Sequence, residues 1–211
     1  MAASEQFDSS HAVVDVFKLL ARAYLAATGW TVQNDLPIGL DKFVIIAAPH
    51  TSNWDFPVTL AIAATIDMKF YWVGKHTMFR WPFGWLMRLL GGISVDRRKS
   101  TNFVQQIAEA FDEADRMALG IAPEGTRSRS KYWKSGFYYI ARESGVPIVC
   151  GFVDWENKRG GLGPVIDASQ PKDEVLEELQ DFYDDIQGRR PEQYTRPKFR
   201  PTESEPKRAS D

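Results

Sequence analysis

The chain has 211 residues, 44% hydrophobic and 26% charged, a globular composition that excludes collagenous and wholly disordered chains and fits one domain of ordinary size. Its 26 Lys and Arg face 28 Asp and Glu, a formal net charge of −2, which argues against a globally basic nucleic-acid binder while leaving room for local basic patches. Cys150 is the one cysteine, so no intramolecular disulfide and no paired-cysteine metal site can form. His11, His50 and His76 are too scattered to suggest a metal centre.

Residues 1–10 are polar and are expected to form a flexible N-terminus. From Val13 to Ala27 apolar residues recur at helical spacing, with Asp15, Lys18 and Arg22 largely off the stripe. Phe43 to Ala48 is a continuous apolar run of strand length and reads as a buried strand. An apolar helix is expected over Pro57–Ile66, with proline in the permitted first turn. Lys69–Gly74 reads as a second strand, Trp81–Leu90 as a short helix and Ile93–Val95 as a short strand. Phe103–Met117 is amphipathic, with Phe103, Ile107, Ala110, Phe111 and Ala114 on one face and Ser100 or Thr101 available as a cap. Ala118–Ala122 is expected to be a strand, Ser135–Ser144 a helix ending at Gly145, Val146–Phe152 a strand and Pro171–Ile186 an acidic helix. After Gly188 the prolines at 191, 197, 201 and 206 sit among charges, so 188–211 is expected to be a disordered tail. Strands alternating with helices predict an α/β fold: a single layered domain over residues 11–187, its mixed, partly parallel sheet flanked by helices.

Three stretches carry candidate chemistry. In PHTSNWDFP (49–57), His50 directly follows the buried strand and Asp55 comes five residues later. On a continuous helix that spacing would separate the two side chains by about 140°. They can meet only if His50 lies in the strand-to-helix turn and Asp55 at the helix start. A carboxylate on one imidazole nitrogen would leave the other free as a base. The same segment also suits plain helix capping by Asp55, Asn53 or Ser52, with His50 as an ordinary turn residue. In APEGTRSRSKYWK (122–134), Glu124 and Gly125 follow a strand, and Arg127, Arg129, Lys131 and Lys134 follow without an intervening acid. A strand end, a glycine turn and a guanidinium suit a phosphate; a solvated basic loop would look the same. In GGISVDRRKS (91–100), Arg97 could add a second cation, or the cluster could be an exposed loop.

Taken in order, H-T-S-N-W-D (50–55), G-G-I-S-V-D-R (91–97), P-E-G-T-R-S (123–128) and V-P-I-V (146–149) resemble the four blocks of the glycerolipid acyltransferase family, the 1-acylglycerol-3-phosphate and related lysophospholipid acyltransferases. The resemblance spans roughly residues 40–152. It implies that His50 is the general base and Asp55 its orienting carboxylate, and that Arg97, Glu124, Gly125, Thr126 and Arg127 hold a phosphorylated acceptor. It implies acyl transfer from a thioester on coenzyme A or acyl carrier protein to the hydroxyl of a lysophospholipid, most simply 1-acylglycerol-3-phosphate, in phospholipid biosynthesis. Glycerol phosphate or a lyso-aminolipid is the alternative acceptor, and a non-catalytic anionic-lipid-binding domain the alternative class. No cofactor or metal is required. Pro49 and Ala122 stand where many members carry Asn and an aromatic residue.

The residue chemistry agrees with that reading. A thioester is already activated, so the enzyme must chiefly deprotonate and align an alcohol. No G-x-S-x-G elbow, P-loop or dinucleotide fingerprint is present. No stretch has the roughly 20 mostly apolar residues of a spanning helix, and the N-terminus does not read as a signal peptide. Trp72, Phe79, Trp81, Phe83 and Trp85 lie among Lys75, Arg80 and Arg88, which suits a bilayer interface or a core. The expected location is cytoplasmic, peripheral on the inner face of a membrane.

Overall fold

In the computed structural model, residues 2–68, 70–95 and 103–201 are described. Seven strands form one sheet: β1 (Thr31–Asn34), β2 (Lys42–Ala48), β3 (Phe70–Lys75), β4 (Gly92–Val95), β5 (Met117–Ile121), β6 (Ile148–Asp154) and β7 (Arg159–Ile166), in the order β1-β7-β6-β2-β5-β3-β4. The pairs among β6, β2, β5, β3 and β4 are parallel. β7 returns antiparallel to β6, and β1 runs parallel to β7. The sheet is thus mixed and mostly parallel, as the alternation of elements predicts. Six α-helices accompany it among the described residues: α1 (Ala2–Ala27), α2 (Asp55–Thr65), α3 (Gly84–Leu89), α4 (Phe103–Glu113), α5 (Gly136–Glu143) and α6 (Lys172–Tyr183).

Both faces of the sheet are covered, which is why the central strands read as continuous apolar runs rather than alternating ones. In β2, Val44, Ile46 and Ala48 join Ile107 and Phe111 of α4, Phe137 and Ile140 of α5, and Val175 and Leu179 of α6 in the largest core cluster. Phe43 and Ile45 point the other way, with Ala118, Val149 and Leu162. On that second side Ala21 and Leu25 of α1 pack with Val58, Ala61 and Ile62 of α2.

The expected elements recur with shifted ends. The amphipathic segment predicted to stay helical to Met117 stops at Glu113, because Met117 opens β5 opposite Lys42 with its side chain buried. Two strands lack a sequence signal. β1 is only four residues long, and β7 (RGGLGPVI) is poor in β-formers. Its glycines answer to close approach: a Cβ on Gly161, at φ +149, would stand 1.8 Å from the Gln33 carbonyl oxygen of β1.

The segment expected to be a disordered tail from residue 188 is instead packed as far as Phe199. Residues 202–211 lie outside the described residues. Trp133, 2% exposed, donates its indole N–H to Thr195 O (2.9 Å), and its backbone N donates to Lys198 O (2.8 Å). The Thr195 hydroxyl donates to Ser130 O (2.7 Å), Tyr194 donates to Tyr183 O (3.1 Å), and Phe199 is buried against Phe137. Proline and charge density mark a chain that cannot build a core of its own. Here a few apolar side chains borrow the core of the α5 and α6 face. Phe199→Ala should therefore cost about 3 kcal/mol of stability, the low end for a buried Phe truncation, read as a shift in the urea midpoint. A tail that stays unpacked would leave the midpoint unchanged.

Candidate active site

The site lies beyond the carboxyl ends of three adjacent parallel strands. Ile46 of β2 is opposite Ile121 of β5, and Ala48 is opposite Phe152 of β6. That register brings His50, Glu124 and Trp155, each two or three residues past a paired position, to one edge of the sheet. From β2 the chain passes to α2 on one face, and from β5 to α5 on the other. A crevice between strand ends whose connections diverge in this way is where α/β sheets bind ligands.

Asp55 is the organising side chain. It is 3% exposed, and its Oδ2 accepts the backbone N–H groups of Thr51 (2.9 Å) and Ser52 (2.8 Å). Its Oδ1 accepts the Trp155 indole N–H at 2.9 Å. The His50 Nδ1 stands 3.4 Å from Oδ2. No side-chain hydrogen bond caps α2, and Ser52 Oγ instead accepts the Trp54 N–H (3.2 Å) within the turn. The carboxylate therefore folds residues 50–55 into a loop around itself, which is how a five-residue spacing brings His50 back to Asp55. The half-buried imidazole keeps Nε2 as its second nitrogen for a proton.

Glu124 turns into the protein rather than toward solvent. It is 4% exposed, and its Oε2 accepts the His50 backbone N–H at 2.8 Å. Its Oε1 is buried with no hydrogen-bond partner among the described residues. That uncompensated burial pushes the Glu124 carboxyl up to about 8; the bond from His50 opposes the shift and neighbouring Asp55 adds to it. Glu124 thus ties the end of β5 to the His50 turn. Gly125 takes φ +67, a conformation natural to glycine, and its N–H reaches Ala122 O at 3.1 Å. Thr126 Oγ1 accepts the Ser128 N–H (3.2 Å), which closes the next turn and leaves Arg127 exposed at its tip. Arg97 falls outside the described residues. The structure thus assembles His50, Asp55, Glu124, Gly125, Thr126 and Arg127 at two neighbouring strand ends.

An apolar cavity of about 50 Å³ runs between α2 and the sheet and opens beside His50 and Asp55. Ile45, Ile62, Ala63, Ile66, Phe70 and Leu162 line it. Among the described residues no group of three or more His, Cys, Asp or Glu could hold a metal ion.

Two contributors escaped the sequence reading. Trp155 follows β6 immediately, and an indole one step past a strand end was the available signal. The other is the segment 187–193. Gln187 O accepts the Trp155 backbone N–H (2.9 Å), and Arg190 N donates to Thr51 Oγ1 (3.2 Å). The Gln193 amide nitrogen, oriented to satisfy its neighbours, donates to Thr51 O (3.2 Å) and to Arg127 O. Nothing local in a proline-rich, charged stretch marks it for that task.

With this geometry in hand, comparison with known proteins is specific. Residues 30–152, more than half of the chain, match the model of the acyltransferase family. The fold is similar to that of the 1-acyl-sn-glycerophosphate acyltransferase PlsC from Thermotoga maritima, with a TM-score of 0.61, 17% identity, and coverage of 84% of this chain and 79% of that one. No curated protein matches the sequence.

Glu124 makes stability depend on pH in a definite sense. Its carboxyl titrates near 8 when folded and near 4.5 in its ordinary state. The folded protein then keeps a proton that the unfolded chain releases. Its stabilising share is complete below about pH 4.5 and is lost as pH rises toward 8. Glu124→Gln, which cannot ionise, should flatten that decline in urea melts run between pH 5 and 8.5. Parallel pH slopes for the two proteins would show that Glu124 does not carry it.

Proposed function

The chain belongs to the acyltransferase family and is an acyltransferase enzyme, and we propose that it transfers a fatty acyl group from a thioester to the free hydroxyl of a lysophospholipid, with 1-acylglycerol-3-phosphate as the simplest acceptor. The observation that carries the reading is the His50–Asp55 pair at the mouth of the apolar cavity. An acyl chain needs an apolar slot, and the carbonyl it carries must sit beside a base. His50 Nε2 takes the proton of the acceptor hydroxyl as its oxygen attacks the thioester carbonyl. The tetrahedral intermediate then collapses, and the thiolate of coenzyme A or acyl carrier protein leaves and takes up the proton. General-base help of this kind is worth typically 10²–10⁴-fold, and alignment of the two substrates contributes further.

Asp55 acts on the nitrogen that His50 does not use, and its three N–H donors keep it from rotating away. Glu124 anchors the backbone that presents His50. Arg127, exposed one residue past Thr126 and tied through its carbonyl to Gln193 and the Thr51 turn, supports a phosphate-bearing acceptor. A phosphate there faces a guanidinium able to donate two aligned bonds.

Membrane contact belongs to the same reading. No helix among the described residues is long and apolar enough to cross a bilayer. Trp81 is 93% exposed, and Phe83, Trp85 and Leu89 are exposed beside Arg80 and Arg88. On α1, Val16, Leu19 and Leu20 are exposed away from the face that packs on α2, and Phe17 is exposed one turn before Ala21 on that face. Aromatic rings with interleaved cations suit the headgroup layer of an anionic membrane, and a cytoplasmic, inner-face location follows for a protein drawing on soluble thioesters and lipid acceptors. Sedimentation with anionic vesicles should recover the protein, and salt or alkaline washing should release it. Dependence on detergent for release would reject peripheral attachment.

The catalytic reading is tested by turnover of the purified protein on a panel of lysolipids with coenzyme A and acyl carrier protein donors. Folded His50→Ala protein should lose acyl transfer; near-normal turnover would overturn the mechanism. Arg127→Ala should lower the specificity constant for a phosphorylated acceptor about ten- to a hundredfold, the loss of one charge-assisted contact. It should matter little for a dephosphorylated one, and Arg127→Lys should not restore it. Equal losses at Arg127, Arg129 and Lys131 would indicate a diffuse basic surface instead.

A further inference from the structure

The strongest feature outside the family-matched region is Arg189. Its guanidinium sits 4.6 Å from the Trp155 ring centroid and 5.4 Å from that of Trp54. Both indoles belong to the site. Trp54 immediately precedes Asp55, and Trp155 donates its N–H to the Asp55 carboxylate. The backbone that carries Arg189 is seated on the His50 turn on both sides. A Cβ on the preceding Gly188 would stand 2.7 Å from Thr51 Oγ1 and 3.1 Å from Pro49 Cβ, so only glycine lets the chain lie so close. The following Arg190 donates its N–H to Thr51 Oγ1.

What separates Arg189 from other exposed arginines is contact with two indole rings in the absence of a carboxylate partner. Arg116, Arg159 and Arg196 each bind an aspartate at 2.7–2.9 Å. Arg189 has no ion pair among the described residues; its contacts are the two ring faces. A guanidinium stacked on rings has its rotamer settled while the N–H fork in its plane stays available. An exposed, pre-oriented, unneutralised fork beside a catalytic turn suits a dianionic oxygen cluster better than a single carbonyl or hydroxyl.

We propose that Arg189, clamped between Trp54 and Trp155, binds a substrate phosphate, so that the segment after α6 supplies a specificity-determining residue of the acyltransferase. The proposal deepens the reading above and rests on the His50–Asp55 site being the reacting centre. The phosphate is carried either by the acceptor headgroup or by the phosphorylated part of the thioester donor. Trp155 links the two halves of the site, since the indole that holds Asp55 by its edge holds Arg189 by its face.

The test has a binding arm and a kinetic arm. Calorimetric titration of the whole protein with coenzyme A and, separately, with a short-chain lysophosphatidic acid below its micelle concentration measures phosphate recognition without turnover. Arg189→Ala should weaken one of the two at least tenfold, and which one identifies the source of the phosphate. Arg189→Lys should recover little, because an ammonium neither stacks between the rings nor forks. In kinetics the loss should appear in KM for that same substrate with kcat nearly kept. Replacing the phosphorylated acceptor by its dephosphorylated form, or the coenzyme A thioester by an acyl-pantetheine, should abolish the difference between wild type and variant. Unchanged affinity of Arg189→Ala for both ligands, in protein with a wild-type melting temperature, overturns the proposal. Equal weakening of phosphate-bearing and phosphate-free substrates overturns it too, as a general structural defect. Loss of binding in the variant alongside a wild type that binds and transfers acyl groups, but to no lysophospholipid, would uphold Arg189 and reject the lysophospholipid reading instead.

Discussion

A buried carboxylate is the constraint around which this protein is arranged. Removing Asp55 from water is costly unless its oxygens are hydrogen-bonded. The chain answers with two backbone N–H groups from residues just before it and an indole N–H from a hundred residues away. Those donors come from two pieces of structure, the turn after β2 and the end of β6, and they meet on a carboxylate at the start of α2. Meeting the needs of one side chain thus locks the turn that presents His50 and fixes the distance between adjacent strand ends. A substitution at Asp55 would disturb folding of the loop as well as its chemistry.

A second carboxyl plays the complementary part. Glu124 meets the His50 backbone from the β5 side, so the imidazole is held through its main chain by one acid and faced through its ring by another. The two differ in satisfaction. Asp55 has donors on both oxygens, whereas one oxygen of Glu124 has none among the described residues, and burial raises its carboxyl accordingly. Two acids beside one histidine can serve different ends because their surroundings differ.

The parallel sheet supplies the frame, but the site is closed by a segment that follows the family-matched region. Gly188 and Arg190 lie on the Thr51 turn, Gln193 spans Thr51 and Arg127, and Trp133 anchors the rest through Thr195 and Lys198. The His50 turn therefore lies between the sheet edge and the C-terminal segment. The apolar cavity beneath α2 approaches it from the opposite side.

Much of this was legible in the residues, for identifiable reasons. β2 announces itself by FVIIAA because a strand covered on both faces must be apolar throughout, and α4 by a 3.6-residue stripe because only one face of it is covered. His50 and Glu124 stand out because each comes within three residues of a strand end, and Asp55 and Arg127 because each follows one of them at short spacing. β7 stayed hidden because its glycines serve close backbone approach rather than β propensity. The C-terminal segment stayed hidden because its few apolar anchors, Pro197 and Phe199, are buried only by a core that other parts of the chain create. The sequence by itself determined the layered α/β class, the placing of the candidate site residues just past strands, and the family, since these depend on local patterning and short spacing. Tertiary structure alone decided that Trp155 reaches Asp55, that Glu124 points inward to the His50 backbone, and that the segment 187–193 lies against the Thr51 turn. Each of those depends on strand register and on contacts between residues tens to more than a hundred positions apart, which no local pattern encodes.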